Sequence, residues 1–263
     1  MVAPLALFPM HPESARDDRS ALDIKNVVQA VVVNPRKRAA YYRFMHVFTE
    51  LLEKFNVRYF AHSGTMLGCV RHKGFIPWDD DIDLMVPEED VPRLYELAKV
   101  IQEYGIKQNL RSSIKPEDGI WQFMPFGNSI MEGFDGYLGL DIFIGETINV
   151  ENEGIIFHYK SSDFRRWYKK RFVKVDDVFP RKRYFFGPLS IWGMRDPQAY
   201  FCRSGFMMEE AIIGVHKASK AKAEEVISIL TEHNLYPIRD KKILSMKSPY
   251  QETEFFDLDY YRD

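Results

Sequence analysis

Four aspartates occupy four of the five positions 79–83, directly before an apolar run at 84–86. Asp81 and Asp83 are two residues apart, so both carboxylates point to the same face if this segment is a strand. Carboxylate oxygens are the ligands that Mg²⁺ requires, and neighbouring acids repel one another unless a cation lies between them. The spacing therefore predicts a Mg²⁺ or Mn²⁺ site that includes Asp81 and Asp83. A solvated acidic turn is the alternative, which the apolar run disfavours.

Asp141 is a further acid, and the sequence places it inside an apolar run at 138–144. A lone buried carboxylate is costly unless it is paired, protonated or bound to a metal ion. We expect Asp141 to be a metal ligand or a general base on a neighbouring strand. A core aspartate that is hydrogen-bonded to the backbone is the alternative.

A short polar turn, Ser63-Gly64-Thr65, precedes a predicted helix upstream of the acids. Glycine lets backbone N–H groups approach a phosphate closely, and a helix N-terminus with nearby hydroxyls favours the same anion. We therefore predict that all three residues bind a phosphate or nucleotide. Alone, the turn would be read more simply as an ordinary helix cap.

Arg71 and Lys73 lie between this turn and the acids, where cationic side chains could contact substrate phosphates. Arg71 is the preferred residue, because its planar guanidinium suits bidentate phosphate binding. A solvated helix C-terminus is the alternative for Lys73, since the helix dipole favours cations there.

The elements that must position these residues follow from periodicity and turn signals. Apolar residues at three- and four-residue spacings predict amphipathic helices over 35–56 and 87–104, around a mixed α/β core. An apolar run at 27–33 predicts an edge strand or a short helix. The other predicted elements are strands at 58–62, 82–86, 105–110, 120–125, 129–133 and 138–144, and helices at 65–71, 195–205 and 209–230.

The chain is expected to contain three parts: a leader (1–34), a catalytic core (35–150) and a helical, partly basic region (151–263) that completes the acceptor side. The composition, 46% apolar and 28% charged, is that of a globular protein. A net charge of −2 gives no overall reason to expect nucleic acid as a partner. Membrane association is open but not indicated.

Two cysteines, Cys69 and Cys202, are too few for a disulfide framework, although one bridge stays open. The first ten residues do not form a credible signal peptide. We therefore expect a cytoplasmic protein, with the Golgi lumen as the alternative if an anchor has been lost.

Residues 160–183 contain ten Lys and Arg against three acids, a local charge of +7. The segment could bind an anionic acceptor, nucleotide phosphates or a membrane surface, and Trp167, Tyr168 and Phe172 could stack on a ligand. A solvated helix face is the favoured interpretation.

At residues 62–86 the chain resembles the LicD family, which includes the fukutin-like proteins, within the polymerase-beta-type nucleotidyltransferase superfamily. Ser63-Gly64-Thr65 resembles the glycine–serine/threonine motif, residues 71–83 resemble the long family signature, and Asp141 matches the third acid. The resemblance covers about residues 37–145 and becomes loose at 186–206. It implies a nucleotidyltransferase fold: a mixed sheet flanked by helices, here with a helical C-terminal extension.

The resemblance further implies a metal-dependent phosphotransferase that modifies glycans such as cell-surface polysaccharide. The donor would be CDP-linked, such as CDP-choline or CDP-ribitol; the acceptor would be a glycan hydroxyl, and a nucleoside monophosphate would leave. Asp81, Asp83 and Asp141 would hold the metal ion. Two alternatives stay open: a glycosyltransferase that uses an Asp-x-Asp metal site, and a noncatalytic nucleotide- or glycan-binding module. The base, the transferred group, the acceptor and the oligomeric state do not follow from the sequence.

Overall fold

The computed structural model describes residues 22–108, 119–132, 138–214 and 220–262. The described helices are α1 (Ile24–Gln29), α2 (Pro35–Lys54), α3 (Ser63–Arg71), α4 (Val91–Val100), α5 (Asn128–Met131), α6 (Ser162–Trp167), α7 (Val175–Val178), α8 (Gln198–Ser204), α9 (Lys220–Glu232) and α10 (Lys241–Leu244). Short 3₁₀ turns flank α4 and a further one lies near the C-terminus, at Glu88–Asp90, Ile101–Tyr104 and Leu258–Tyr261.

Seven strands form one mixed sheet, and two more form a separate hairpin. The strands are β1 (Phe60–Ala61), β2 (Asp81–Pro87), β3 (Ile106–Gln108), β4 (Ile120–Pro125), β5 (Gly139–Val150), β6 (Gly154–Tyr159), β7 (Val173–Lys174), β8 (Lys182–Phe186) and β9 (Leu189–Gly193). The sheet runs β1-β2-β5-β4-β3, with β6 paired to β5 and β7, and β8 pairs with β9. Only β2 and β5 are parallel among the described pairs. This is the mixed sheet flanked by helices that the sequence predicted.

Helix α2 supplies much of the core. It begins at Pro35, which fits a first helical turn, and the Asn34 side chain accepts a hydrogen bond from the Arg36 N–H at 2.8 Å. Its apolar stripe is buried, and the Phe48 ring lies 4.9 Å from that of Phe123 on β4. The helix therefore packs across the sheet, as its periodicity predicted.

The described part of the predicted leader, residues 22–34, packs against the rest of the molecule. Helix α1 buries Val28 completely, and the N–H of Val33 donates to the Pro77 carbonyl at 2.9 Å. The remaining leader residues, 1–21, lie outside the described ranges. No helix in the described ranges is both long enough and apolar enough to cross a bilayer.

The predicted strand at 129–133 is wrong, because residues 128–131 form the short helix α5. A buried arginine explains the difference. Arg43 donates to the carbonyls of Ile130 at 3.0 Å and Glu132 at 2.6 Å, so these acceptors need no strand partner. Residue 133 itself is outside the described ranges.

Residues 151–263 contain helices, as expected, but also four strands that the sequence did not predict, β6 to β9. Strand β5 continues beyond the predicted end at residue 144 and pairs with β6 through residues 145–150. The predicted helix at 209–230 is shorter and later: 209–214 is not helical, and α9 begins at Lys220. The Ala211 backbone instead pairs with Ile238, which uses the hydrogen bonds that a helix would need.

Candidate active site

Parallel pairing of β2 with β5 brings the predicted acids together. Asp81 lies opposite Gly139 in the register, and Asp83 lies opposite Asp141. Since residues opposite one another on adjacent strands share a face, Asp83 and Asp141 are close neighbours. The Gln122 side chain, from β4, donates to the Asp141 carboxylate at 2.8 Å. The carboxylates thus cluster on one face of the central strands.

Burial and mutual repulsion shift the pKa values of these carboxyls. Burial raises the pKa of Asp83 well above its ordinary value, and the charges of Asp81, Asp141 and Asp79 raise it further. Burial and the charge of Asp81 do the same to the pKa of Asp79. Burial raises the pKa of Asp141 to about 6, although the hydrogen bond from Gln122 acts in the opposite direction. Each carboxyl is therefore poorly solvated, and the guanidinium groups near Asp79 and Asp83 only partly offset the effect of burial on the pKa.

A buried guanidinium holds the loop before the acids. Arg38, on α2, is fully buried, and its Nη2 donates to the carbonyls of Ile76 at 3.2 Å, Pro77 at 3.3 Å and Asp79 at 2.6 Å. Its guanidinium carbon lies 4.1 Å from the centre of the Phe75 ring. These contacts fix the loop that leads into β2.

Gly64 lies at the start of α3, directly beside an acid. A Cβ atom at this position would lie 2.7 Å from Oδ2 of Asp79, so the absence of a side chain lets that carboxylate approach the helix. The neighbouring Ser63 has a positive φ of 43° and lines the same pocket. Ser63 and Gly64 therefore form the part of the pocket wall that lies beside Asp79.

Thr65, by contrast, lies behind the pocket. It is buried, and its hydroxyl accepts a hydrogen bond from the backbone N–H of Asp83 at 2.9 Å. Thr65 does not line the pocket, so its position fits a structural role at the start of β2 rather than the predicted contact with a phosphate.

The acids line a pocket of about 550 Å³. Its lining also contains five aromatic residues: Phe143, Tyr159, Phe164, Tyr168 and Phe206. The predicted residues that line it are Ser63, Gly64, Arg71, Asp81, Asp83 and Asp141. A size of this order fits a small-molecule ligand such as a nucleotide.

Arg71 reaches the pocket but is largely engaged by protein groups. Its Nη1 donates to the carbonyls of Met207 at 2.9 Å and Glu210 at 2.8 Å, and its Nε donates to His72 at 2.9 Å. The guanidinium therefore ties the pocket wall to α3. Lys73 does not line the acidic pocket; the left-handed backbone at this residue, with φ of 55°, brings it into a separate pocket.

Arg171 is the cation that individual sequence motifs did not single out. It lines the pocket, with its guanidinium carbon 4.4 Å from the Tyr168 ring centre and 5.0 Å from that of Phe206. Its positive charge opposes the rise in the pKa of Asp83. Arg171 therefore lies close enough to the acids to influence them electrostatically.

Five of the ten cations in the basic segment at 160–183 form ion pairs with described residues. Lys160 pairs with Glu88 and Arg165 with Glu146, and the remaining pairs join Arg166 to Asp163, Lys174 to Glu153 and Arg183 to Glu53. The segment is therefore a mixture of paired and unpaired cations rather than a uniform basic patch. Arg171 is its cation that lines the pocket, together with the rings of Phe164 and Tyr168.

Within the described ranges, no three His, Cys, Asp or Glu side chains are arranged to hold a metal ion together. The donor chemistry nevertheless suits Mg²⁺ or Mn²⁺, because hard carboxylate oxygens face one pocket and raise one another's pKa values. Cys69 is buried and Cys202 is exposed, and both are free thiols rather than a disulfide.

Asp79, in the loop before β2, also lines the pocket, although the sequence did not single it out among the four acids. Its neighbour Gly64 could have indicated this, since a glycine at a helix start permits close approach of another group. Phe206 gave no sequence signal, because the contact between 206 and 171 joins distant parts of the chain.

Comparison with known proteins identifies one family. The family model described as "LicD/FKTN/FKRP, nucleotidyltransferase domain" matches residues 56–193, slightly more than half of the chain. This range contains Gly64, Asp81, Asp83, Asp141 and Arg171.

Individual relatives match over shorter stretches. "Uncharacterized protein RP689" of Rickettsia prowazekii is 29% identical over 165 residues, 63% of this chain and 53% of the relative. "Lipopolysaccharide cholinephosphotransferase LicD" of Haemophilus influenzae is 42% identical over 50 residues, 19% of each chain. Human "Ribitol 5-phosphate transferase FKRP" is 45% identical over 60 residues, 21% of this chain and 12% of that protein. The chain spans about half the length of the first curated relatives it matches.

Proposed function

The chain belongs to the LicD/FKTN/FKRP nucleotidyltransferase family, and we propose that it transfers a phospho-substituent from a CDP-linked donor to a hydroxyl of a glycan. The observation that carries the proposal is the meeting of Asp83 and Asp141 on adjacent parallel strands, opposite Gly64 and Arg171 in one pocket. The names of the LicD and FKRP relatives support the reaction class.

Asp81, Asp83 and Asp141 would hold a divalent cation, Mg²⁺ or Mn²⁺. Bound there, the cation would supply charge neutralisation for diphosphate oxygens. Since these side chains do not form a metal-ligand group in this structure, the proposal requires them to move towards one another on binding.

The protein's own residues have separate tasks in the proposed reaction. Arg171 contacts the donor diphosphate, because its guanidinium is already held between two rings at the pocket and needs little further ordering. The first turn of α3, at Ser63 and Gly64, offers backbone N–H groups to the same phosphates. The aromatic residues that line the pocket accommodate the apolar faces of the nucleoside.

In the chemical step, the acceptor hydroxyl oxygen forms a bond to the phosphorus that carries the transferred alcohol. The bond from that phosphorus to the bridging oxygen breaks, and CMP leaves with the electron pair. The hydroxyl proton passes to Asp141, which doubles as the base. The Gln122 side chain, which donates to the Asp141 carboxylate at 2.8 Å, would orient it for this task.

The test is thermal unfolding with Mg²⁺ or Mn²⁺ and a panel of CDP-choline, CDP-ribitol, UDP-sugars and GDP-sugars, followed by a CMP-release assay. A donor at about 100 times its Kd adds about 2.7 kcal/mol, which raises the Tm by several degrees in a chain of this size. We expect a metal-dependent rise with a CDP-linked donor, and its loss in Asp83→Asn.

Asp80→Asn is the matched control, because Asp80 belongs to the same run of acids but does not line the pocket. It should keep the donor-dependent rise in Tm. A rise with UDP- or GDP-sugars alone would replace this proposal with a glycosyltransferase. Binding without turnover in any donor–acceptor pair would favour a noncatalytic module.

A further inference from the structure

A second pocket has a volume of about 370 Å³ and a basic lining, in contrast to the acidic pocket. The two pockets are lined by adjacent residues, Arg71 in the acidic pocket and His72 in the second. The lining of the second pocket contains two lysines and a histidine but no aspartate or glutamate. The residues that line it are Tyr42, His72, Lys73, Gly74, Phe185, Gly187, Lys247, Ser248 and Tyr250. We call this the lysine pocket. An anionic ligand would therefore be attracted here without the bound cation that the acidic pocket would need.

The two lysines come from distant parts of the chain and are both exposed. Neither the Lys73 nor the Lys247 ammonium group has an ion-pair or hydrogen-bond partner among the described residues, whereas five cations of the basic segment are ion-paired. The backbone at Lys73 is fixed, since its carbonyl accepts from the Gly187 N–H at 2.6 Å. Unpaired ammonium groups at one pocket are the groups that a phosphate would bind.

A buried hydroxyl provides a second, independent indication of a ligand. Ser248 is only 6% exposed, and its Oγ has no hydrogen-bond partner among the described groups. Burying a hydroxyl without a partner costs free energy, so buried polar atoms of this kind call for a missing partner. Because Ser248 lines the lysine pocket, a ligand hydroxyl or phosphate oxygen is such a partner.

Aromatic side chains complete the lining. Phe185 is 77% exposed and Tyr250 is 38% exposed, unusually open positions for large apolar groups. The Tyr250 ring packs edge-on against the Tyr42 ring, with centroids 4.9 Å apart, which holds it at the pocket. Aromatic faces pack against the C–H faces of sugar rings, whose hydroxyls remain free for polar contacts. Lysines, a hydroxyl and exposed rings together fit a charged sugar better than a simple anion.

A hydrogen bond between two side chains, Arg71 and His72, links the walls of the acidic pocket and the lysine pocket. His72 lines the lysine pocket, its Nδ1 is 2.7 Å from the Met246 carbonyl, and its Nε2 accepts from Nε of Arg71, which lines the acidic pocket. The Gly187 N–H and the His72 imidazole therefore join three chain segments around the lysine pocket.

We propose that the lysine pocket binds a phosphate-substituted saccharide. Resting on the proposed function, we assign this saccharide to the acceptor glycan, so that the acceptor class is a phosphorylated rather than a neutral glycan. Lys73 and Lys247 bind the phosphate, Phe185 and Tyr250 pack on the sugar ring, and Ser248 bonds to a ligand oxygen. Lys73 thus contacts a phosphate, as its sequence position suggested, but in another pocket.

The test is isothermal titration calorimetry of the full chain with glucose 6-phosphate, glucose and inorganic phosphate as probes. We expect glucose 6-phosphate to bind more tightly than either of the other two, and more weakly as salt is raised. The Lys73→Ala/Lys247→Ala double variant should weaken its binding about tenfold or more. Phe185→Ala, at an exposed position that should not disturb folding, should weaken it severalfold.

Lys222→Ala is the matched control, an exposed lysine on α9 outside the lysine pocket. It should bind glucose 6-phosphate like the wild type. The proposal is overturned if the double variant binds like the wild type, if no probe binds, or if phosphate alone binds as tightly as glucose 6-phosphate. Asp83→Asn should keep this binding while losing the donor-dependent rise in Tm, so the two proposals fail separately.

Discussion

The Thr65 hydroxyl holds the backbone of β2 at Asp83, one of the proposed metal ligands. It accepts a hydrogen bond from the Asp83 N–H at 2.9 Å. Thr65→Val keeps the shape of the side chain but leaves this N–H without its partner. We expect a loss of about 1–3 kcal/mol in unfolding free energy. Thr65→Ser retains the hydroxyl and should lose less. Urea unfolding of both variants is the measurement, and equal stability of the two would contradict the assignment.

Arg171 is expected to govern donor binding. Arg171→Met removes the charge but keeps much of the bulk between Tyr168 and Phe206, so it should weaken donor binding about tenfold or more, whereas Arg171→Lys should recover part of the loss. Titration of the CDP-linked donor in the presence of metal measures this. Lys170→Met, at the exposed neighbour, is the control and should be silent. An unaffected Kd in Arg171→Met would remove Arg171 from the proposed mechanism.

His158 makes stability depend on pH. Burial and the charge of Arg165 lower the pKa of this imidazole from 6.5 to about 4, and its Nδ1 accepts from the Tyr159 N–H. Between pH 6.5 and 4 the unfolded state binds a proton that the native state does not, so stability falls as pH falls, by up to about 1.4 kcal/mol per pH unit. His158→Gln should flatten this slope in urea unfolding at several pH values; the exposed His233→Gln should leave it unchanged.

At the residue scale, the sequence identified the acids but could not assign every neighbouring residue. Asp81, Asp83 and Asp141 line one pocket, as their apolar strands indicated. Thr65 and Lys73 belong to the same motif yet lie elsewhere, because side-chain direction depends on backbone angles such as the φ of 55° at Lys73. The role of the three aspartates as metal ligands stays a prediction, and so does the role of the neighbouring residues as phosphate contacts.

Helix α3 depends on a glycine at its contact with the loop before β2. A Cβ atom at Gly68 would lie 2.4 Å from the carbonyl oxygen of Gly74, a backbone atom that cannot move alone. Gly68→Ala should therefore lower the unfolding free energy by about 1–3 kcal/mol, as overpacking does. Gly64→Ala, on the same helix, would meet only the movable Asp79 carboxylate and should cost less stability. Urea unfolding compares the two, and the reverse order would contradict this account.

At the element scale, hydrophobic periodicity predicted the helices and strands whose buried face can be recognised from their own residues. Helix α2 and strand β4 were found from their own residues, since apolar spacing reflects which face is buried. The parallel register of β2 with β5 was not predictable in this way, because it joins residues about sixty positions apart. The hairpin β8–β9 was missed because the sequence of β8, Lys182–Phe186, does not alternate polar with apolar residues, and β8 begins within the segment that was interpreted from its net charge.

At the scale of the whole molecule, the acidic pocket is assembled from both halves of the chain. Gly205, Phe206, Met207 and Ile212 line it, although they lie beyond the residues that the family model matches. The Nε1–H group of Trp78, in the loop before the acids, donates to the Ile212 carbonyl at 3.0 Å. The C-terminal region therefore closes a site whose acids come from the central sheet and the loop before it.

Arg71 is expected to hold this wall in place. Arg71→Gln removes two hydrogen bonds to the carbonyls of Met207 and Glu210, so the amides of residues 206–212 should exchange faster with deuterium while those of β2 and β5 do not change. Arg239→Gln is the matched control, because Arg239 pairs with the half-buried side chain of Glu210, whereas Arg71 binds its backbone carbonyl. It should leave exchange at 206–212 nearly unchanged. Donor binding should also weaken in Arg71→Gln, because Phe206 in the segment 206–212 lines the pocket. Weaker donor binding with unchanged deuterium exchange would instead mean that Arg71 contacts the donor itself.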